Sequence, residues 1–172
     1  MNDAARARRL LRERPELAAR LLFLAQDTPK VRVSSPAGVY LQVAPHLLGQ
    51  PEEQLVLLCL NRRLFPLSCE VLTVGSDRVT VVDTRQILRR ALRAGPSGAT
   101  AIALAHNHPS GDVLPSSQDR DVTRKVVAAC DAVGLEMLDH LVVAGPDLWH
   151  SMRQTGDVEF SAPSQLSTSW TN

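Results

Sequence analysis

Residues 55–60 read Leu-Val-Leu-Leu-Cys-Leu, apolar at every position. A run of this kind suits a strand buried on both faces, which is the position of a central strand between two layers. A second such run, Ala99 to Ala105, follows later. Between and around these runs lie segments with helix signals. Ser35-Pro36 opens a helix, with Ser35 as N-cap and Pro36 at the first helical position, ending near Pro45 to Gly49. Asp83-Thr84 caps a helix through about Ala94, stopped by Gly95-Pro96. Ser116 or Ser117 caps another, running to Ala132 and stopped by Gly134. Further strands are expected at 65–74, at 79–82 after the Gly75-Ser76-Asp77 connection, at Leu135–Ala144 and at Trp149–Met152. The alternation of strands and helices makes this an α/β chain.

The chain has 172 residues, the size of one domain with a real core. Residues 1–30 form a separate N-terminal helical segment. Asn2 to about Gln26 carries a leucine stripe opposite arginines, divided at Pro15 and broken at Asp27-Thr28-Pro29. The domain occupies 31–154, and 155–172 is a Ser/Thr-rich tail expected to be flexible. Formal net charge is +1, which argues against a nucleic-acid or membrane binder driven by bulk charge. No apolar run approaches bilayer length, and no small-residue cleavage site follows an apolar stretch, so the expected compartment is the cytoplasm. Cys59, Cys69 and Cys130 show no CxxC spacing and read as buried thiols. A Cys59–Cys69 bridge stays open if the two face each other on paired strands.

The chemistry concentrates at 106–119, His-Asn-His-Pro-Ser-Gly-Asp-Val-Leu-Pro-Ser-Ser-Gln-Asp. Histidines at i and i+2 on extended backbone project to one side, so His106 and His108 can converge on a single ion while Asn107 points away. Pro109 stops the strand and Ser110-Gly111-Asp112 turns the chain. Asp119, in the first turn of the next helix, can swing back to add a carboxylate. Two imidazoles, a carboxylate and a vacant fourth position are the donor set of a catalytic zinc. Ser116-x-x-Asp119 also fits a variant capping box, and nearby histidines are commonly just hydrogen-bonded. Neither alternative accounts for His-x-His at the mouth of a buried strand. The triplet His-Asn-His is no sign of an HNH nuclease, whose residues are dispersed.

His-x-His, seven residues, Ser, two residues, Asp resembles the JAMM motif of JAB/MPN metallopeptidases at every spacing. The wording HNHPSG…PS…D, with Leu138-Asp139-His140 behind it and Val82-Asp83-Thr84-Arg85 through Ala91-Leu92 ahead, is most similar to the RadC-like branch. The resemblance runs from roughly Ser35 to Arg153. It implies a single JAB/MPN-like domain of cytidine-deaminase-like type, a mixed central sheet flanked by helices. It implies one Zn2+ held by His106, His108 and Asp119, a general base at Glu53, and Ser116 as hydrogen-bond donor to the developing oxyanion. Glu52 competes with Glu53, but adjacent extended residues face opposite ways, so only one can face the ion. Glu70 is a third candidate, read as an exposed strand residue. Asp139-His140 could orient a ligand from behind, or form a buried structural pair. His46, His150, Asp112 and Asp121 carry no expected role, and Trp149 packs on the last strand.

The activity implied is a zinc peptidase or isopeptidase that removes ubiquitin-like modifiers ending in Gly-Gly from their conjugates. A DNA-repair-associated metal-dependent hydrolase or DNA-binding protein is the alternative. Residues 1–30 are too short for the helix-hairpin-helix-like region usual ahead of this domain, so nucleic acid is not an expected partner. No membrane partner is expected either, and a homodimer is left open.

Overall fold

The computed structural model describes residues 31–74 and 83–161. The expected helix at 2–26, the Gly75-Ser76-Asp77 connection, the strand at 79–82 and residues 162–172 lie outside the described residues. The described chain runs α1 (Pro36–Leu47), β1 (Gln54–Leu60), β2 (Pro66–Val74), α2 (Thr84–Arg93), β3 (Ala101–Asn107), α3 (Ser117–Ala132), β4 (Glu136–Gly145), β5 (Leu148–Ser151) and α4 (Met152–Thr155). The strands form one sheet in the order β2-β1-β3-β4-β5. Only β3 and β4 are parallel, joined across α3, and the other neighbours are antiparallel. The fold is thus α/β, as the alternation of strands and helices implies, with the mixed sheet flanked by helices that the resemblance implies.

The apolar run at 55–60 is buried throughout, and its residues divide by parity. Val56, Leu58 and Leu60 enter one core with Val39, Val43 and Leu47 of α1. Leu55, Leu57 and Cys59 enter a second core with Ile87 and Ala91 of α2 and Val126 and Cys130 of α3. β3 divides likewise, Ala101, Ala103 and Ala105 toward α1 and Ile102 and Leu104 toward α2 and α3. Because side chains alternate along a strand, a residue's parity near the end of β3 decides which layer it meets.

The caps behave as their chemistry predicts. The Ser35 hydroxyl accepts from the Gly38 amide at 3.2 Å, and the Asp83 carboxylate from the Arg85 amide at 3.0 Å. α3 is capped by Ser116, not Ser117, and Gly134 just beyond it takes φ +70.

The register excludes a Cys59–Cys69 bridge. Cys59 lies opposite Ser68 and Cys69 opposite Leu58, so the thiols occupy opposite faces of the sheet. Cys59, Cys69 and Cys130 are free, and burial pushes the Cys69 and Cys130 thiols up to about 12. Trp149 stacks on Tyr40 of α1 with ring centroids 5.7 Å apart. Packing continues past residue 154: Val158 is buried, and the Arg153 guanidinium lies over the Phe160 ring at 4.7 Å. No helix among the described residues is long and apolar enough to cross a membrane.

Asp139 holds the end of the sheet together. Its buried carboxylate accepts from the Ser151 hydroxyl at 2.5 Å, the His140 amide at 2.8 Å and the Arg153 amide at 3.1 Å, joining β4 to the β5–α4 junction. Burial raises its pKa to about 6, against the lowering effect of those donors. The folded state therefore holds a proton that the unfolded chain releases near the ordinary carboxylate range. This contribution to stability is complete below about 4 and is lost as pH rises through about 6. Urea unfolding of wild type and Asp139→Asn at several pH values should show it. The stability of wild type minus that of the variant should fall by up to about 3 kcal/mol between pH 4 and 6 and stay level above. Taking the difference removes the other titrating groups, among them His140, whose lowered pKa acts with the opposite sign.

Candidate metal centre

The site forms where β3 ends, α3 begins and β1 enters the sheet. His106 shares the parity of Ile102 and Leu104, so its ring points into the α3 layer and is 2% exposed. His108 follows on the same side beyond the strand. Gly111 at φ +84, a backbone region that favours glycine, lets the chain turn back toward α3. The first turn of α3 then supplies Asp119. The antiparallel register sets Leu55 opposite His106, which brings Glu53 to the same end of the sheet.

One ligand atom from each of Glu53, His106, His108 and Asp119 lies within 4.8 Å of all the others. The two Nε2 atoms of His106 and His108 are 3.0 Å apart. His106 Nε2 lies 3.5 Å from Asp119 Oδ1, and His108 Nε2 lies 3.8 Å from Oδ2. Glu52 is exposed and stays outside the cluster, whereas Glu53 joins it. Glu70 is not the merely exposed residue expected from its strand. It is half-buried on β2 and ion-paired with Arg90 of α2, away from the site.

The serine and aspartate make the capping box that their spacing suggests, and the aspartate also joins the cluster. Asp119 Oδ2 accepts from the Ser116 amide at 2.7 Å and from its hydroxyl at 2.5 Å, and the Asp119 amide donates to Ser116 Oγ at 3.1 Å. This is a complete capping box. It fixes the carboxylate rotamer so that Oδ1 faces His106 and Oδ2 lies toward His108. Burial alone would raise the Asp119 pKa, but His106, His108 and the Ser116 hydroxyl hold the carboxyl well below its usual range. The Asp119 hydrogen bond raises His108, while burial works the other way. Burial pushes His140 far down.

The donor set fits a divalent cation. His108 Nδ1 is 2.8 Å from the backbone carbonyl of Asp112, which can only accept, so Nδ1 carries the ring proton. In the neutral ring the lone pair is then on Nε2, facing His106 and Asp119. Imidazole nitrogens and a carboxylate oxygen gathered at this spacing are the ligand types of zinc and similar ions. Glu53, His108 and Ser116 also line an open cleft of about 510 Å³, with Leu114, Pro109 and Pro115 as its apolar wall.

Three contributors were not visible in the sequence. Asn107 points away from the histidines, as alternation requires, but it does not point into solvent. Its Nδ2 donates to the Glu52 carbonyl at 3.0 Å and its Oδ1 accepts from the Gln54 amide at 2.8 Å, clasping the backbone on both sides of Glu53. Asp112, for which no role is expected from the sequence, acts through its carbonyl on His108. Arg120 donates to the Pro115 carbonyl at 2.5 Å and pairs with Asp157 at 3.4 Å, tying the cleft wall to the C-terminal segment. The Asp139-His140 pair divides its work. His140 Nε2 lies 2.9 Å from His106 Nδ1, while Asp139 makes only the structural contacts given above. His150 is bonded to Asp157 at 2.6 Å and His46 is half-buried on α1, so neither joins the cluster.

An α/β domain with paired histidines at a strand end and an aspartate in the next helix's first turn has the layout of a JAB-type domain. The model of the RadC-like JAB domain matches residues 33–157. This chain belongs to that family. It is 34% identical over 139 residues to the UPF0758 protein of Picosynechococcus sp., covering 81% of this chain and 55% of that one. The match to the UPF0758 protein of Methanosarcina barkeri is 34% over 143 residues, 83% of this chain and 60% of the relative. That of Symbiobacterium thermophilum is 36% identical over 127 residues, 74% and 53%. The chain thus spans between about half and three fifths of the length of these relatives. Domain and cluster together are consistent with a metal-dependent hydrolase.

Asn107 is 4% exposed, and truncating it removes both hydrogen bonds by which it holds the part-buried backbone at Glu52 and Gln54. Asn107→Ala should cost about 1–3 kcal/mol in urea unfolding, against near-neutral values for exposed positions such as Asp121.

Proposed function

We propose that this domain is a zinc-dependent peptidase or isopeptidase that releases ubiquitin-like modifiers ending in Gly-Gly from their conjugates. The observation that carries the reading is the convergence of His106, His108 and Asp119 on one point, with Glu53 beside them on an open cleft. His106, His108 and Asp119 would hold the ion. When bound, a divalent ion of this type lowers the pKa of a coordinated water and polarises a carbonyl oxygen.

The side chains supply the rest. Glu53 is half-buried on the cleft wall and held in place through its backbone by Asn107. Its carboxylate takes the proton of the attacking water and returns it to the departing amine, a role worth about 10²–10⁴ in rate. The Ser116 hydroxyl lines the same cleft with its proton directed to Asp119 Oδ2. To serve the developing oxyanion it turns that proton toward the scissile carbonyl, while its backbone amide keeps Asp119 anchored. Glycines at the scissile bond suit an approach past Leu114 and the two prolines, since bare backbone can come close to the ligands. Three free thiols support a reducing, cytoplasmic setting.

The test is incubation with linear and lysine-linked ubiquitin-like conjugates, with and without a chelator. Chelator-sensitive release of intact modifier is the expected result. Glu53→Gln should retain zinc, measured by elemental analysis, and lose at least about 100-fold in turnover. Zinc loss in that variant would reassign Glu53 as a ligand. Failure on every conjugate, together with metal-dependent cleavage of nucleic acid, would replace the peptidase reading with the DNA-associated one.

A further inference from the structure

We propose that Thr123 and His140 form a one-way hydrogen-bond relay that locks His106 with its proton on Nδ1, so that the Nε2 lone pair faces the cation site. The relay rests on the reading of His106, His108 and Asp119 as metal ligands.

The Thr123 hydroxyl has one proton. Oγ1 lies 2.6 Å from the backbone carbonyl of Asp119, which can only accept, so the proton goes there. The sulfur of Met152, at 3.4 Å, is the weaker acceptor on the same hydroxyl. Toward His140 Nδ1, 2.6 Å away, the hydroxyl is therefore an acceptor, and His140 carries its proton on Nδ1. The His140 ring is buried between a hydroxyl and another imidazole, with no carboxylate on either nitrogen, which favours the neutral ring with one N–H. Its Nε2 is then a lone pair, 2.9 Å from His106 Nδ1, which must donate. The remaining nitrogen, His106 Nε2, holds a lone pair 3.0 Å from His108 Nε2 and 3.5 Å from Asp119 Oδ1.

The relay starts on the backbone of one ligand and ends on the ring of another. Asp119, Thr123, His106 and His140 are all buried, so water does not readily substitute for a missing member. The Asp112 carbonyl imposes the same tautomer on His108. When both rings are neutral they present bare nitrogens to the same point, where a cation can take both lone pairs. His140 and Thr123 are positioning residues, acting through His106. Outer partners of this kind typically affect metal affinity by about 10- to 100-fold.

The experiment pairs two readouts. Zinc affinity is measured by competition with a chromophoric chelator, and histidine tautomers are read by 15N NMR of the metal-free protein. Wild type should show His106 and His140 protonated at Nδ1. Thr123→Val keeps the volume but removes the acceptor for His140, so that ring can turn its proton toward His106. Zinc affinity should fall by about 10- to 100-fold, with a mixture of His106 tautomers, while Thr123→Ser stays close to wild type. His140→Gln keeps an acceptor toward His106 and a donor toward Thr123, and should bind zinc better than His140→Leu, which keeps neither. A folded Thr123→Val with wild-type affinity, or an Nε2-protonated His106 in wild type, overturns the relay. A wild type that takes up no divalent ion overturns the metal reading instead, and the tautomer spectrum still decides the relay.

Discussion

Everything at the site follows from burial of the central strands on both faces. β1 and β3 feed alternate side chains into two separate cores, so neither strand can slip by one residue without moving an apolar row into the wrong layer. That constraint extends past the last apolar residue of β3. With Ile102 and Leu104 pinned against α2 and α3, His106 must face α3, and Asn107 must face away. The register with β1 then sets the distance from His106 to Glu53, though 53 residues separate them in the chain. The histidines and the glutamate are brought together by packing of hydrocarbon, before any ion contributes.

The electrostatics of the cluster run against this packing. Two imidazoles and a carboxylate in a largely buried pocket cost desolvation energy, and the fold offsets part of that cost with hydrogen bonds fixed in direction. The capping box is the main device. It satisfies the first turn of α3 and aims Asp119 with the same bonds. Helix start and ligand geometry are therefore one structural feature, and a change at Ser116 disturbs both.

Much of this was legible in the sequence because it depends on local chemistry. The two-faced strands, the Ser35, Asp83 and Ser116 caps and the His-x-His spacing each carry their own physical signature over a few residues. What escaped depends on register or on backbone atoms. Whether Cys59 meets Cys69 turns on which residues pair across β1 and β2, and that pairing is shifted by irregularities at Leu55/Val56 and Cys59/Leu60. The clasp of Asn107 on residues 52 and 54, and the Asp112 carbonyl behind His108, are side-chain-to-backbone contacts with no motif of their own. Residues 155–161 look like a polar tail in composition. Val158 and Phe160 are enough to seat them, because the apolar surface they cover belongs to distant parts of the chain.

The pair Asp139-His140 shows how one dipeptide can serve two layers. Neighbours on a strand face opposite ways, so the carboxylate secures the Ser151–Arg153 junction while the imidazole reaches His106. The two are joined through a single backbone amide, which His140 donates to Asp139 Oδ1. Loosening the junction at Asp139 would thus be felt at His140 as a change in backbone position rather than in charge. From the other direction, Arg120 links Asp157 to the Pro115 carbonyl on the cleft wall. The C-terminal segment, which contributes no ligand, therefore braces both the back of the candidate metal centre and the rim of its cleft. A site built at strand and helix ends requires such bracing, because neither the strand nor the helix can hydrogen-bond its own terminal groups.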